Sequence, residues 1–289
     1  MKKETINYRK ANVNGINIFY REAGVRGAPV VLLLHGYTCS SHMFRNLIPV
    51  LSEHYQVIAP DMPGFGYSDT PDHQSFQYTF DNLAMYLQGF INQLGLKRFA
   101  LYVFDFGAPV GFRVAMANAE KITGIITQNG NVYKEGITEG WKPMQQYWAE
   151  PTTENRNVLR GMTEAGTIKW QYVTGVDDET SIAPESYTLD QYFTGKEGKT
   201  EILLDLFKDY ANNVALYPTI HKYFREQQPP LLAAWDNQDP FLYTAGAEAY
   251  KKDNPNAIVK FFSTGHFALE TNGQEIGAAV LAFLETLPR

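Results

Sequence analysis

The feature that most constrains the fold of this chain is a series of short apolar runs that alternate with helix-like segments. The runs "VVLLL" and "FALYVF" place apolar side chains at consecutive positions, which suits strands buried on both faces of a sheet. Between such runs, "FDNLAMYLQGFINQLG" and "PVGFRVAMANAEK" space their apolar residues as amphipathic helices do. This alternation predicts an α/β fold in which helices flank a mostly parallel sheet.

The alternation stops between about residues 132 and 223, where the sequence is helical, aromatic and polar and shows no convincing strand. This segment contains eight of the 18 tyrosines and three of the four tryptophans. Strand and helix signals return from "PPLLAAWDNQDP" onwards. We therefore predict a core made of residues 1–132 and 225–289, with a helical cap at 133–224 inserted between two core strands. The cap is expected over the carboxyl ends of the strands, where ligands bind in open α/β sheets.

Composition and charge exclude several classes of function. Acidic and basic residues are mixed along a chain of net charge −6, and no basic cluster offers a surface to nucleic acid. The longest apolar run, "APVVLLLHG", is far shorter than the ~20 residues of a membrane span, and no apolar segment follows the basic start as in a secretory signal. The single Cys39 cannot build a multi-cysteine metal site. We expect a cytoplasmic protein, monomeric or homodimeric, that binds no metal.

A carboxylate stands at the end of a buried run, in the stretch "LYVFDFGAPVGF". Asp105 follows the strand, and the small residues Gly107 and Ala108 let the chain turn sharply into a helix. This pattern is typical of a nucleophile elbow, with aspartate in place of the usual serine. Backbone N–H groups at the start of the helix would stabilise negative charge there. Taken alone, the stretch is equally consistent with an aspartate that caps the helix.

A histidine–glycine pair follows the first buried run and predicts an oxyanion-hole loop. His35 and Gly36 come directly after "VVLLL". In that arrangement the backbone N–H of Tyr37 and that of Phe106 point at one developing negative charge.

Two further polar residues follow later strands, in the order that a catalytic triad requires. Asp239 lies just after the run "LLAAW", and His266 lies in the loop "STGHF" after the next strand. Nucleophile, acid and histidine, each after a strand, follow the chain order of α/β-hydrolases. Asp236 competes with Asp239 for the role of the acid. We favour Asp239 because it lies further into the loop, directly before Pro240.

Over nearly its whole length the chain resembles α/β-hydrolase-fold enzymes of the haloalkane dehalogenase and epoxide hydrolase group. The matching stretches are "LLLHGYTCSSHMFRNLIPVL", "VIAPDMPGFGYSD", "FDFGAPVGF", "NQDPF" and "TGHFALE". The resemblance implies an eight-stranded sheet, no cofactor, and a small apolar electrophile and water as partners. It also implies that Asp105 attacks an electrophilic carbon to form an ester, that His266 is the general base activating water, and that Asp239 orients His266.

The residues that would bind a leaving halide are only partly present. Haloalkane dehalogenases of this group carry a tryptophan directly after the nucleophile, where this chain has Phe106, and a second Trp or Asn, where it has Tyr37. Fluoroacetate dehalogenases carry arginines one and four places after the nucleophile, at the positions of Phe106 and Pro109. Cap tryptophans could supply one N–H, the candidates being Trp141, Trp148 and Trp170.

Epoxide hydrolases protonate the opening ring oxygen with two tyrosines of the cap. The resemblance places Tyr217 near the second of these positions, and we predict Tyr147 as the other, with Tyr172 in reserve. Two departures count against this choice. Thr38 stands where epoxide hydrolases usually have proline, and Val103 stands where they usually have glycine.

We predict a hydrolase that forms an aspartyl ester, with small apolar epoxides as its substrates. The alternatives are a haloalkane dehalogenase, another α/β-hydrolase, an oxygenase on the same scaffold, and a non-catalytic binding protein that kept the fold. Without proline in the loop, either the amide of Tyr37 is posed differently or Thr38 serves in its place. The aromatic cap predicts a largely apolar pocket. Its predicted lining is His35, Thr38, Trp148, Tyr172 and Phe267.

Overall fold

The computed structural model describes residues 5–288 and arranges eight strands in one sheet. The strands are β1 (Asn7–Val13), β2 (Ile16–Ala23), β3 (Val30–Leu34), β4 (Gln56–Pro60), β5 (Phe99–Phe104), β6 (Ile122–Gln128), β7 (Leu231–Asp236) and β8 (Ile258–Phe262). Their order in the sheet is β1-β2-β4-β3-β5-β6-β7-β8. β1 pairs antiparallel with β2, and β2 with β4, whereas the later neighbours pair in parallel. The predicted mostly parallel, eight-stranded sheet is confirmed.

The helices cover both faces of this sheet. Within residues 5–288 the α-helices are α1 (Leu47–Ser52), α2 (Phe80–Gln93), α3 (Gly107–Ala117), α4 (Lys142–Ala149), α5 (Thr153–Val158), α6 (Ala165–Val173), α7 (Pro184–Thr194), α8 (Lys199–Gln227), α9 (Thr244–Asp253) and α10 (Gly273–Leu284). Side chains of α2, α3, α8 and α9 share one hydrophobic core, and those of α1 and α10 share the other. No helix in this part of the chain combines the length and apolar composition needed to cross a membrane.

Strand β3 explains why the apolar run "VVLLL" is continuous. Leu32 and Leu34 belong to the core on one face of the sheet, whereas Val31 and Leu33 belong to the core on the other. Successive side chains of a strand point to opposite faces. A parallel strand covered by helices on both sides is therefore apolar at every position.

The helical segment that follows β3 is divided into two pieces. A 3₁₀ turn spans Ser41–Phe44, and α1 begins only at Leu47. Pro49 accounts for the division, because it has no N–H to bond to the carbonyl of Arg45 and its ring would clash with that carbonyl in a continuous helix.

The helical insertion lies between β6 and β7, as predicted. It contains α4 to α8 with short 3₁₀ turns, and no strand occurs between residues 132 and 223 in the described chain. The longest helix, α8, has 29 residues and continues to Gln227, past the predicted boundary at residue 224. It packs against both α2 and α3 of the core. The insertion is thus joined to the core along this helix.

Candidate active site

A strained turn carries Asp105 between β5 and α3. Its φ of +46° lies in the left-handed region, which residues other than glycine seldom adopt. Two glycines allow the close approach of the chain at this point. A Cβ on Gly107 would lie 2.4 Å from the carbonyl oxygen of Leu34, and a Cβ on Gly36 would lie 2.5 Å from Cβ of Asp105. The sharp strand–turn–helix geometry expected for a nucleophile elbow is present.

Backbone N–H groups from two loops meet at the Asp105 carboxylate. The N–H of Tyr37 donates to Oδ1 at 2.6 Å, and the N–H of Phe106 also bonds the carboxylate. Burial raises the pKa of Asp105, while His266 and these two N–H groups lower it; the net shift is upward. The side chain nevertheless remains partly exposed, unlike its neighbours in β5. Reactive chemistry at Asp105 therefore has both access and a preformed pair of donors.

The loop that supplies the Tyr37 amide departs from a proline-containing loop in its backbone. Thr38 has a φ of +58°, whereas the ring of proline holds φ at about −65°. A proline could not occupy this position without a change in the path of the loop. Of the two amides considered from sequence, that of Tyr37 contacts Asp105.

Asp239 and His266 form a buried hydrogen-bonded pair. The Nδ1 of His266 lies 2.7 Å from Oδ2 of Asp239. The other carboxylate oxygen, Oδ1, accepts the backbone N–H of Phe241 at 2.7 Å. With Nδ1 held in this way, the Nε2 of His266 has no hydrogen-bond partner within residues 5–288. Such an arrangement leaves Nε2 available as a base.

The charges of the two aspartates act together on His266. Burial lowers the pKa of the imidazole, but Asp239, through its charge and its hydrogen bond, and the charge of Asp105 outweigh burial and raise the pKa above the usual value. In return, His266 lowers the pKa of Asp105. The three side chains predicted as a triad are thus electrostatically coupled.

Asp236, the alternative acid, is engaged elsewhere. Its Oδ2 accepts from the side chain of Gln128 at 3.3 Å, and its Oδ1 has no partner among the described residues. Burial, and then the charge of Asp239, raise the pKa of Asp236 well above its ordinary value. A carboxyl that makes no bond to the imidazole cannot orient it, so the geometry favours Asp239 over Asp236.

Asn129 is a residue of the site that the sequence did not bring to attention. It follows β6 with a φ of +43°, a conformation that asparagine tolerates better than most residues. Its side-chain amide donates to Oδ2 of Asp239, and its Oδ1 accepts the N–H of Asp236 at 2.9 Å. Asn129 thereby holds the β7 loop that carries the acid. The signal was a polar residue directly after a strand, the same position that Asp105 occupies after β5.

One tyrosine of α8, Tyr210, lies close to the elbow, and Tyr217 lies two turns further along the same helix. The hydroxyl of Tyr217 donates to the carbonyl of Asn131 at 3.4 Å. Burial raises the pKa of Tyr210 well above its ordinary value, and the charge of Asp105 raises it further. The ring of Tyr210 lies 5.6 Å from that of Phe106. Tyr217 was predicted for this site, whereas Tyr210 was not distinguished from the other cap tyrosines.

The other predicted cap tyrosines take part in networks within the cap. The hydroxyl of Tyr147 accepts from Arg156 at 3.0 Å, and that guanidinium also pairs with Glu201 and Asp205. The hydroxyl of Tyr172 donates to a buried carboxyl on α7 at 2.6 Å. No contact joins Tyr147 to the triad in the described chain, so its role as a proton donor stays a prediction.

The ring of Tyr172 contributes to the site by packing rather than by its hydroxyl. It stacks on Phe267, with centroids 3.8 Å apart and planes within 2°. Phe267 follows His266 and contacts its imidazole at 5.2 Å between centroids. This stack supports the loop that carries the histidine.

The remaining predicted pocket residues differ in what they can offer to a ligand. His35 is fully buried; its Nδ1 contacts the carbonyl of Gly36, and its Nε2 accepts the N–H of Met62, so it holds the loop and presents no free nitrogen. Trp148 donates its indole N–H to the carbonyl of Phe207 at 2.7 Å. Trp141 likewise donates its indole N–H to a backbone carbonyl of the core. Neither N–H is free to bind a leaving group in this arrangement.

Comparison with known proteins agrees with this architecture. A family model described as alpha/beta hydrolase fold matches residues 29–273. An uncharacterized hydrolase of Saccharomyces cerevisiae is 42% identical over 273 residues, covering 93% of each chain. A haloalkane dehalogenase of Psychrobacter cryohalolentis is 27% identical over 286 residues, covering 95% of this chain and 89% of its own length.

A solved structure gives the same picture of the fold. The ligand-free epoxide hydrolase CorEH superposes with a TM-score of 0.78 at 19% identity, and the match covers 97% of this chain and 99% of that chain. At this identity the likeness concerns the fold alone. Together with the family model and the elbow geometry, it leads to one conclusion: the chain belongs to the α/β-hydrolase fold family and is a hydrolase of that fold.

Proposed function

We propose that this hydrolase opens small apolar epoxides to diols through an ester on Asp105. The observation that carries the proposal is an aspartate, not a serine, at the elbow, with the N–H groups of Tyr37 and Phe106 on its carboxylate. A serine must lose a proton before it attacks a carbonyl, whereas a carboxylate is already ionised. It is therefore suited to displacement at a saturated carbon.

In the first step the free carboxylate oxygen, Oδ2 of Asp105, attacks a ring carbon of the epoxide. A C–O bond of Asp105 forms, the ring C–O bond breaks, and its electron pair moves to the ring oxygen. That oxygen needs a proton. Tyr210 and Tyr217 are the candidates to supply it, because a tyrosine hydroxyl is a proton donor and the ring of Tyr210 lies 5.6 Å from that of Phe106 at the elbow.

In the second step the Nε2 of His266 takes a proton from water, and the water oxygen attacks the ester carbonyl carbon of Asp105. The carbonyl oxygen is Oδ1, which already contacts the Tyr37 amide at 2.6 Å, so the two N–H donors are in place for the oxyanion. Asp239 stabilises the imidazolium that forms. Collapse of the tetrahedral intermediate breaks the ester C–O bond, and the departing alkoxide takes the proton of the imidazolium to complete the diol. The Asp105 carboxyl so formed returns its proton to the tyrosinate left by the first step, which restores the Asp105 carboxylate.

The leaving group is the point at which an epoxide fits better than a haloalkane. A departing halide is stabilised by N–H donors, yet the side chain of Phe106 has none, and Trp141 and Trp148 bond backbone carbonyls. A ring oxygen is stabilised by O–H donors. The hydroxyl of Tyr210 is one candidate, and that of Tyr217 makes only a long bond of 3.4 Å to the carbonyl of Asn131, which a ring oxygen can replace. Haloalkane dehalogenation is the second candidate, supported by the relative from Psychrobacter cryohalolentis.

Trapping the ester tests both the mechanism and the substrate class. His266→Gln is mixed with a panel of epoxides and haloalkanes, and intact masses are measured. An epoxide adds its whole mass to the protein, whereas a haloalkane adds its mass less that of the hydrogen halide. We expect an epoxide adduct on the Asp105 peptide, and no adduct in a matched variant that also carries Asp105→Asn. Absence of any adduct, or an adduct on another peptide, would contradict the proposal.

A further inference from the structure

A buried ammonium group lies at the start of α8, outside the triad. Lys199 is only 5% exposed, and its Nζ donates to the carbonyl of Gly64 and to Oγ1 of Thr70. No carboxylate lies within ion-pair distance of it in the described chain. Lysine is seldom buried without a counter-charge, because removal of the ammonium from water is costly. The two neutral acceptors leave one N–H of the ammonium unused.

An unpartnered hydroxyl borders the same space. Thr38 is 4% exposed, and its Oγ1 has no hydrogen-bond partner within residues 5–288. Both side chains line a small cavity of about 10 Å³, which is about the room that one water-sized atom needs. The rest of its lining consists of apolar residues, two glycines and one further hydroxyl-bearing residue: Gly64, Phe65, Gly66, Phe193, Thr194 and Leu203.

The charges around this cavity favour a negative occupant. Burial and, to a smaller extent, the charge of Lys196 lower the pKa of Lys199, whereas the charge of Asp61 raises it by the smallest of the three effects; the resulting pKa is about 8. Lys196 lies over the ring of Phe193, 4.7 Å from its centroid. Asp61 is already neutralised in part, because the N–H groups of Ser41 and Tyr67 bond its two oxygens.

We propose that Lys199 and Thr38 form a subsite for one small anionic atom, either a free halide or one carboxylate oxygen of the substrate. An ammonium N–H and a hydroxyl can both donate to such an atom, and the apolar walls exclude competing water. Thr38 follows Tyr37, whose amide contacts Asp105, so the occupant lies next to the loop of the reacting carboxylate. The carboxylate case rests on the proposed function, and the halide case does not.

Bromide tests the site without any turnover. Crystals of the full chain are soaked in sodium bromide, and anomalous scattering is measured. We expect a peak within hydrogen-bond distance of Nζ of Lys199, and a rise of Tm with bromide compared with sodium gluconate at the same ionic strength. Both effects should be lost in Lys199→Met. Lys208→Met, which removes an exposed cation of the same helix, should keep them.

Thr38→Val is a second variant that tests the subsite even if Lys199→Met fails to fold. It keeps the ammonium and its bonds to Gly64 and Thr70 but removes the second donor, so bromide should bind about tenfold more weakly. Water in place of bromide in the wild-type cavity excludes the halide source. An equal rise of Tm with bromide in wild type and in Lys199→Met also excludes the halide source.

Turnover of paired substrates distinguishes the carboxylate source. Oxirane-2-carboxylate and its neutral analogue glycidol are compared by kcat/KM in wild type and in Lys199→Met. If the subsite holds a substrate carboxylate, the preference for the anionic epoxide falls about tenfold in the variant while glycidol is unaffected. An unchanged preference together with no bromide binding would overturn the proposal. Inactivity on both epoxides with bromide bound would instead contradict the proposed function and leave the anion site supported.

Discussion

The core edge and the cap hold their polar side chains in different ways. At the core edge, Asp105, Asp239 and His266 each follow a strand, and backbone N–H groups bind both carboxylates. In the cap, the hydroxyls of Tyr147 and Tyr172 bond ionisable side chains that also belong to the cap. Polar groups of the first kind are positioned by the topology of the sheet, whereas those of the second kind are positioned by packing between helices.

This difference determines how strongly a single substitution should affect activity in each region. The ends of parallel strands meet at one edge, so residues far apart in the chain converge there whatever the details of packing. A helix of the cap can present several tyrosines, and rotation by one residue changes which of them faces the core. Substitutions should therefore give large, specific losses at the core edge and graded losses in the cap.

The largest loss is expected at Asp105. Asp105→Asn removes the nucleophilic charge, so diol formation should fall by about 10⁴-fold or more, because the triad acts as a unit. Asparagine tolerates the left-handed φ of +46°, and Tm should change little. Asp105→Ala should be equally inactive but less stable, since alanine is strained there. Retention of substantial activity in either variant would remove Asp105 from the mechanism.

The two aspartates of the β7 end give the next test. Asp239→Asn should lower kcat by about 10²- to 10⁴-fold, because the imidazole loses its orientation and the support of its charged form. Loss of the Asp239 charge lowers the pKa of His266, so the acid limb of the remaining activity should move to lower pH. Asp236→Asn is the matched control and should leave this limb in place, because Asp236 does not bond His266. Equal effects of the two substitutions would contradict the geometry.

The part of the site that could be predicted from sequence is the part that follows strands. Asp105, Asp239 and His266 each stand at a strand end, and the chain order of nucleophile, acid and base made the three recognisable together. Asn129 has the same kind of position but no chemistry of its own, since its amide only holds other residues. Nothing in its residue type distinguished it from the polar residues that commonly follow a strand.

The roles of the cap tyrosines could not be predicted from sequence for a different reason. Tyr147 and Tyr210 are both aromatic residues on amphipathic helices, and their types and spacings are alike. What separates them is the surroundings of each hydroxyl: that of Tyr147 accepts from Arg156, whereas the pKa of Tyr210 responds to the charge of Asp105. These surroundings depend on how the cap helices pack against one another and against the core. A single sequence does not report that packing.

The tyrosines of α8 offer the third test, with a smaller expected effect. Tyr210→Phe and Tyr217→Phe should each slow epoxide opening by about tenfold to 100-fold, because each removes one hydroxyl of a pair that can share the proton. Release of halide from a haloalkane, which needs no proton, should be unaffected. Tyr147→Phe tests the donor predicted from sequence, and it should keep epoxide activity if the tyrosines of α8 supply the proton. Full activity of both α8 variants would exclude this pair as the acid.

The smallest expected effect is a difference between two pH profiles of the wild type. It tests most directly whether Asp105 raises the pKa of His266 at the core edge. His266 must be neutral to accept a proton from water, and its pKa lies above the usual value because Asp239 and Asp105 outweigh burial. Activity should therefore fall as pH decreases through this raised pKa. In the ester Asp105 has no charge, so one of the raising influences is gone. The acid limb of kcat, when ester hydrolysis limits turnover, should lie at lower pH than the pKa of His266 in the free enzyme, which NMR titration of the imidazole measures. Coincidence of the two would show that Asp105 does not act on the histidine.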